Sequence, residues 1–372
     1  MKKIIALALC AAIASPTAVY AADTKTADAK KTVFTVSEAT DYMLSNSLEL
    51  KAAEENVSYM ELKQKADAGM RKRLNNKEVA ASVNDLNTML VTGGYVEYSD
   101  GVQYDIAKRN LPETKYKLRM QLENKFYSCL NSDKKVIVAL KALENAEENE
   151  RIANAKAEAG VIGSIEAESF SLAVISAEND YDSAVRSRDY MYSELKQLMG
   201  YPYDAEITLT GTFERQPMNT TKLETALDGL DKTTNKLNLD AGIELQRKLL
   251  DEYKALYTTS MVDYKAQKYA YAQAEAEYNE NVGKLRLAIT SAYNTMVDTY
   301  DKLDYIDKSI DLLEKQADAK KTTYELGMST ATEYISAVQQ LDSLRLSLVD
   351  AEIGAYLASK SYEMSYHSAK EE

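Results

Sequence analysis

Residues 154–185 read NAKAEAGVIGSIEAESFSLAVISAENDYDSAV, and residues 320–352 read KKTTYELGMSTATEYISAVQQLDSLRLSLVDAE. Each stretch is helical in pattern and broken once, at Gly160 in the first and Gly327 in the second. A shift of 167 residues aligns Glu158 with Glu325, Gly160 with Gly327 and Glu166 with Glu333. The same shift places KLRMQLENKF (117–126) on KLRLAITSAY (284–293), so Lys117 meets Lys284 and Arg119 meets Arg286. One offset shared by separate anchors marks a tandem duplication.

The duplicated unit is a long helical hairpin. Ile289, Tyr293, Met296, Tyr300, Leu303, Ile306, Ile310, Leu313 and Ala317 step by three and four, as do Leu341, Leu344, Leu348, Ala351, Ala355 and Ala358. That spacing is the apolar seam of a coiled coil. In the first copy, Val136, Leu140 and Leu143 follow the same rule, and the segment from Glu113 to Gly200 holds no proline. The expected fold is mainly α: long antiparallel coiled-coil hairpins in two tandem repeats, with minimal strand.

Around the hairpins the chain divides as follows. Lys2 and Lys3, an apolar run from Ile4 to Ser15 and a small-residue site before Ala22 read as a signal peptide over 1–21. Leu9 stands where a lipobox would need a small residue ahead of Cys10. Residues 22–34 are a polar, lysine-rich leader; 35–216 form the first repeat and 217–372 the second. A helix over 37–74 opens the first repeat, with Ser37 as its cap and Glu38 in its first turn. Residues 75–113 admit two readings, a small hairpin around Gly93-Gly94 and Ser99-Asp100-Gly101 or a helical excursion with a loop. Over 206–213, Ile207, Leu209, Gly211 and Phe213 alternate with polar residues between Pro202 and Pro217, which predicts a strand.

Composition narrows the function classes. Loss of the signal leaves 43 basic residues against 58 acidic, a surface that repels nucleic acid. Only Cys129 remains after Cys10 is removed, and it reads as a small buried hydrophobe. Twenty-seven tyrosines, four phenylalanines and no tryptophan suit thin walls that are apolar on one side and wet on the other. His367 is the sole histidine and sits in the last turn; no metal, nucleotide or nucleophile motif accompanies it. The sequence therefore predicts a protein that is not an enzyme and that carries no cofactor. An amphipathic lipid-surface binder would have the seam but lacks a basic face along its helices.

Several stretches taken together resemble the TolC family of outer-membrane efflux and secretion channels. SEATDYMLSNSLELKAAEENV (37–57) is similar to that family's first helix, the two glycine-centred stretches to its repeated hairpin tips, and QLMGYP (197–202) to the close of its first repeat. The resemblance covers nearly all of the chain after the signal. It implies a homotrimeric α-helical barrel in the cell envelope, with a periplasmic-type adaptor and an inner-membrane pump docked at the tips. Carried over by position, the adaptor-docking residues are Gly160, Val161, Ile162, Gly163 and Ser164, with Gly327, Met328, Ser329 and Thr330. Glu166 and Glu333 fall where the family places acidic residues near its pore constriction. Either they form a cation-selecting ring of carboxylates, or they complement the positive end of the following helix. The family's membrane β-barrel has no evident counterpart: residues 250–284 read as polar helix, and only the segment near Gly93 stands at the equivalent place in the first copy. Two functions follow, a conduit component for efflux or type I secretion, and a coiled-coil spacer or surface rod with no transport role.

Overall fold

The computed structural model describes residues 32–75, 86–257, 261–326 and 328–367, without the side chains of Glu166 and Ala331. The signal peptide and most of the leader lie outside these residues. Nine α-helices are described: α1 (Val36–Asn46), α2 (Leu48–Asn75), α3 (Leu86–Gly93), α4 (Tyr95–Glu158), α5 (Ser164–Met199), α6 (Leu223–Asp228), α7 (Thr234–Leu256), α8 (Val262–Glu325) and α9 (Ala331–Tyr366). At about 1.5 Å per residue, the 64 residues of α4 and of α8 each make a rod about 95 Å long. The fold is long antiparallel hairpins, α4 with α5 and α8 with α9; α2 runs along α4, α7 along α8, and α4 also packs on α9.

The duplication is exact in register. Adding 167 to the bounds of α4 gives those of α8, and adding it to the bounds of α5 gives those of α9. The cores follow: Leu122 and Ile289, Cys129 and Met296, Leu195 and Tyr362, Met199 and Tyr366 are four aligned pairs, all buried. The first core gathers Phe34, Met43, Leu122, Phe126, Leu195 and Met199, and the second Ala226, Leu230, Ile289, Met296, Tyr362 and Tyr366. Replacing Leu195 and Met199 by tyrosines brings two hydroxyls into the second core, and both find partners. Tyr362 donates to the Thr221 carbonyl at 3.0 Å, and Tyr366 bonds Thr221 Oγ1 at 3.0 Å. A phenol in a wall needs such a partner, which the thin wall supplies.

The seam expected on α8 is the one buried, from Ile289 through Met296, Leu303, Ile306 and Ile310 to Ala317. The two hairpins lie side by side through polar links. Asn131 Nδ2 donates to Asp350 Oδ1 at 2.6 Å, and Tyr356 donates to Glu123 at 2.7 Å.

Three local expectations differ from the structure, and one pair of open readings is decided by it. The opening helix is capped by Thr35, not Ser37: its hydroxyl accepts from the Glu38 amide at 3.4 Å while the Glu38 carboxylate accepts from the Thr35 amide at 3.0 Å. That helix is also interrupted at Ser47, between α1 and α2. The strand expected over 206–213 shrinks to Thr208–Leu209 (β2), which pairs in parallel with Val33–Phe34 (β1), at the end of the expected leader. Phe34 is 1% exposed, so burial of its ring, edge-on to Tyr42 and Tyr201, fixes this pair. Among the described residues of 75–113 the helical reading holds: α3 and α4 replace the hairpin, and α4 runs through Pro112. The ring there removes the donor that the Lys108 carbonyl would otherwise receive.

The link between α7 and α8 is residues 257–261, and that between α2 and α3 is residues 76–85. No helix among the described residues is long and apolar enough to cross a membrane.

Candidate functional site at the hairpin tips

Each hairpin turns at the far end of a 64-residue helix, and the two turns are built alike. At the first, Gly160 adopts φ +70°. This lets the Gly160 amide donate to Ala157 O at 2.9 Å and the Val161 amide to Lys156 O at 2.8 Å. The two bonds satisfy carbonyls that the end of α4 would leave open, in a Schellman motif. Nothing lies within 4 Å of a Cβ built at Gly160, so the glycine serves backbone conformation rather than clearance. Gly163 is extended at φ −76° and ψ 155°, and Ser164 starts α5.

The second turn repeats this at the same offset. The Met328 amide donates to Thr323 O at 2.8 Å, matching Val161 to Lys156. Thr330 takes the place of Gly163 and caps α9, its hydroxyl accepting from the Glu333 amide at 3.3 Å. Ser329 bonds Thr323 Oγ1 at 3.1 Å across the turn. Gly327 itself lies outside the described residues.

The residues singled out in the sequence divide into two kinds. Val161 and Met328 are 70% and 77% exposed and stand at aligned positions; Ile165 and Leu326, which sequence reasoning did not select, are 83% and 68% exposed beside them. Each tip therefore presents bare apolar side chains at its turn. Glu333 is of the other kind. Its carboxylate accepts from Lys320 Nζ at 2.6 Å across the hairpin, while its amide is held by Thr330. Its charge is matched within the chain, and it stands in the first turn of α9, where a carboxylate complements the helix dipole. The Glu166 side chain lies outside the description.

Sequence reasoning missed Lys320 and Asn149. Thr332 donates to Asn149 Oδ1 at 3.4 Å, tying the start of α9 to α4 of the other hairpin. Tyr324 stacks on Tyr334 across the second tip with 10° between planes. In the first hairpin Ser171 bonds Glu150 between α5 and α4, while within α4 a two-point Arg151–Glu148 pair at 2.6–2.7 Å holds Glu148 below the usual carboxylate range. The signal for Lys320 with Glu333 was opposite charge on either side of a turn, legible only once the pairing across the turn is fixed.

Solved structures of outer membrane channels share this architecture over nearly their whole length. The Campylobacter jejuni CmeC channel matches with a TM-score of 0.68 at 12% identity, over 91% of this chain and 87% of its own. The fold is that of the TolC family. CusC, whose structures concern transmembrane channel formation, matches at 0.66 and 10% identity over 90% of this chain and 92% of its own. The open Neisseria gonorrhoeae MtrE channel matches at 0.61 and 14% identity over 90% and 89%. No protein-family profile matches the sequence, and no curated protein does. The TolC-like likeness is thus one of fold, carried by helix lengths and order rather than by residue identity.

Proposed function

We propose that this chain is an exported, TolC-like conduit component of an efflux or type I secretion system. Three copies close a helical barrel, and an adaptor docks on the tips and joins it to an inner-membrane pump. The observation that carries the reading is the pair of matched tips, which share one backbone bond, Val161 to Lys156 in the first and Met328 to Thr323 in the second, and expose an apolar residue at the same place, Val161 in one and Met328 in the other. Two equivalent docking points per chain suit a partner that binds repeatedly around a ring. Exposed Leu172 and Ile175 on α5 support assembly, since a second chain would remove them from water.

The test has two parts. Light scattering on chain 22–372 in detergent-free buffer measures assembly, and a trimer is expected. Val161→Asp with Met328→Asp in cells that carry the native system is expected to abolish export while leaving the chain folded and assembled. Export at the unaltered rate would sink the conduit reading. The pairing of Glu333 with Lys320 inside the chain favours a second reading, a coiled-coil spacer of the envelope with no transport role. A chain that stays monomeric and whose tip substitutions leave export untouched would establish that reading instead.

A further inference from the structure

We propose that Asp67 of α2 and Asp100 of α4 share one proton, and that this proton fastens α2 to α4. Lys63, Asp67 and Asp100 form a cluster where the two helices lie side by side. The cluster sits near the start of α4, at the other end of that helix from the tip.

Asp100 is only 3% exposed, a depth at which a carboxylate needs partners for both oxygens. Its Oδ1 accepts from Lys63 Nζ at 2.7 Å. Its Oδ2 is buried and receives no donor from the described residues. Gln64 closes α2 over α4 beside it, with Nε2 2.8 Å from a Cβ built at Gly101. The group that does reach Asp100 is a second carboxyl, that of Asp67, one turn beyond Lys63 on α2. Two ionised carboxylates are acceptors only, so a bond between them needs a proton on one, which then donates to the other. A proton on Asp67 supplies the donor that Oδ2 lacks.

Charge points the same way. Lys63 offsets one of the two negative charges and leaves the other at the contact. The bond to Asp100, and then burial, push the Asp67 carboxyl above its usual range, against the pull of Lys63. The other charged groups around the pair are engaged elsewhere. On α2, Lys65 pairs with Glu61, and Tyr59 acts on Lys63. Arg71 of α2 and Glu97 of α4 hold each other at 3.0 Å, Lys248 of α7 lies 3.6 Å over the Tyr98 ring, and α3 carries no charged residue. A divalent cation is disfavoured here because the Lys63 ammonium already occupies Oδ1. The clamp has a definite sign. A carboxyl raised on folding stabilises below the unfolded value of about 3.9, and that contribution is lost as pH rises through the folded value. This contact therefore holds α2 on α4 in acid and releases it as pH rises. The inference holds whether or not the tips dock an adaptor.

The test is hydrogen exchange on chain 22–372, which keeps every described residue, read at the α2 amides from Lys63 to Arg71. Wild type is compared with Asp67→Asn at each pH, so that the intrinsic exchange rate cancels. The side-chain amide in Asp67→Asn donates to Asp100 Oδ2 at every pH. The two proteins are expected to be protected alike at pH 4. At pH 8 the wild type leaves a buried acceptor unpaired, and the variant should be better protected by about fivefold or more. Lys63→Gln keeps a donor on Oδ1 but removes the charge that draws the proton off, so the pH at which protection falls should move up. A purely structural role for Asp67 would not move it. Calcium added at constant ionic strength should leave the wild type unchanged at pH 8. Circular dichroism on each variant separates a lost clamp from a lost fold. Equal protection of wild type and Asp67→Asn at both pH values, or an unmoved transition in Lys63→Gln, overturns the proposal. So does protection restored by calcium, which would assign the site to a metal cation.

Discussion

Gly160 and Gly163 stand three residues apart in one turn, and the same substitution should separate them. At Gly160 the backbone has φ +70°, and an alanine there puts its Cβ against the carbonyl oxygen. That costs about 1–2 kcal/mol, with no further steric charge because nothing lies within 4 Å. Restricting the opened loop returns about 0.4–1 kcal/mol, so roughly 1 kcal/mol remains against the closed turn. At Gly163 the backbone is extended at φ −76°, the site is equally open, and alanine fits. The same return there offsets the weaker N-cap, and the sum is near zero. The reporter is the Val161 amide, whose bond to Lys156 O exists only while the turn is closed. Hydrogen exchange should show its protection falling about fivefold in Gly160→Ala, and changing less than about twofold in Gly163→Ala. Equal loss in both variants, or none in either, would refute the assignment of the turn to the Gly160 conformation.

Two further outcomes follow from the packing and the charges. Leu122→Ala and Ile289→Ala remove aligned, fully buried side chains, and each should cost roughly 2–5 kcal/mol in urea unfolding; a cost below about 1 kcal/mol at either would break the equivalence of the two cores. Lys125 donates to Glu194 at 2.6 Å between α4 and α5 and holds that carboxyl below its usual range, with burial opposing. Its contribution, up to about 1 kcal/mol for this partly exposed pair, is present above the unfolded carboxyl pKa of about 4.3 and lost as pH falls through the lower folded value. The difference in urea midpoint between wild type and Glu194→Gln should therefore be present at pH 7 and gone by pH 2; a difference that persists in acid would assign it to something other than this pair.

The helices and the tips were legible because both are local. A three–four apolar period over many turns has one meaning, and a lone glycine in such a period marks its end. The Thr35 cap was also written in the sequence, as Thr-x-x-Glu over 35–38, the pattern of a capping box. Ser37 stood nearer the acidic residue and drew the assignment away. The alternation over 206–213 announced β2, but its partner was not legible, because the two residues at 33–34 that pair with 208–209 lie in the expected leader and carry no alternation of their own. What holds them is the burial of Phe34 on Tyr201, a contact across the whole first repeat. The Lys320 partner of Glu333 was hidden for a related reason. A charge on a long acidic helix looks solvated until the turn brings its opposite alongside.

The repeats agree in backbone register but not on their surfaces. Ile137, Leu140, Ile165, Leu172 and Ile175 are exposed apolar residues of the first hairpin. The same shift of 167 puts Asp304, Asp307, Thr332, Gln339 and Asp342 at those places in the second. Three of these have their own ion-pair partners, Asp304 with Lys308, Asp307 with Arg215 and Asp342 with Arg345. Had both hairpins met identical neighbours, one chemistry would serve at each position. Instead the first keeps an apolar face where the second keeps a charged one, so the two face different surroundings. A ring of these chains would then repeat by the whole chain rather than by the hairpin. The face that closes it should include Leu172 and Ile175, since removing apolar side chains from water is the larger gain on offer there.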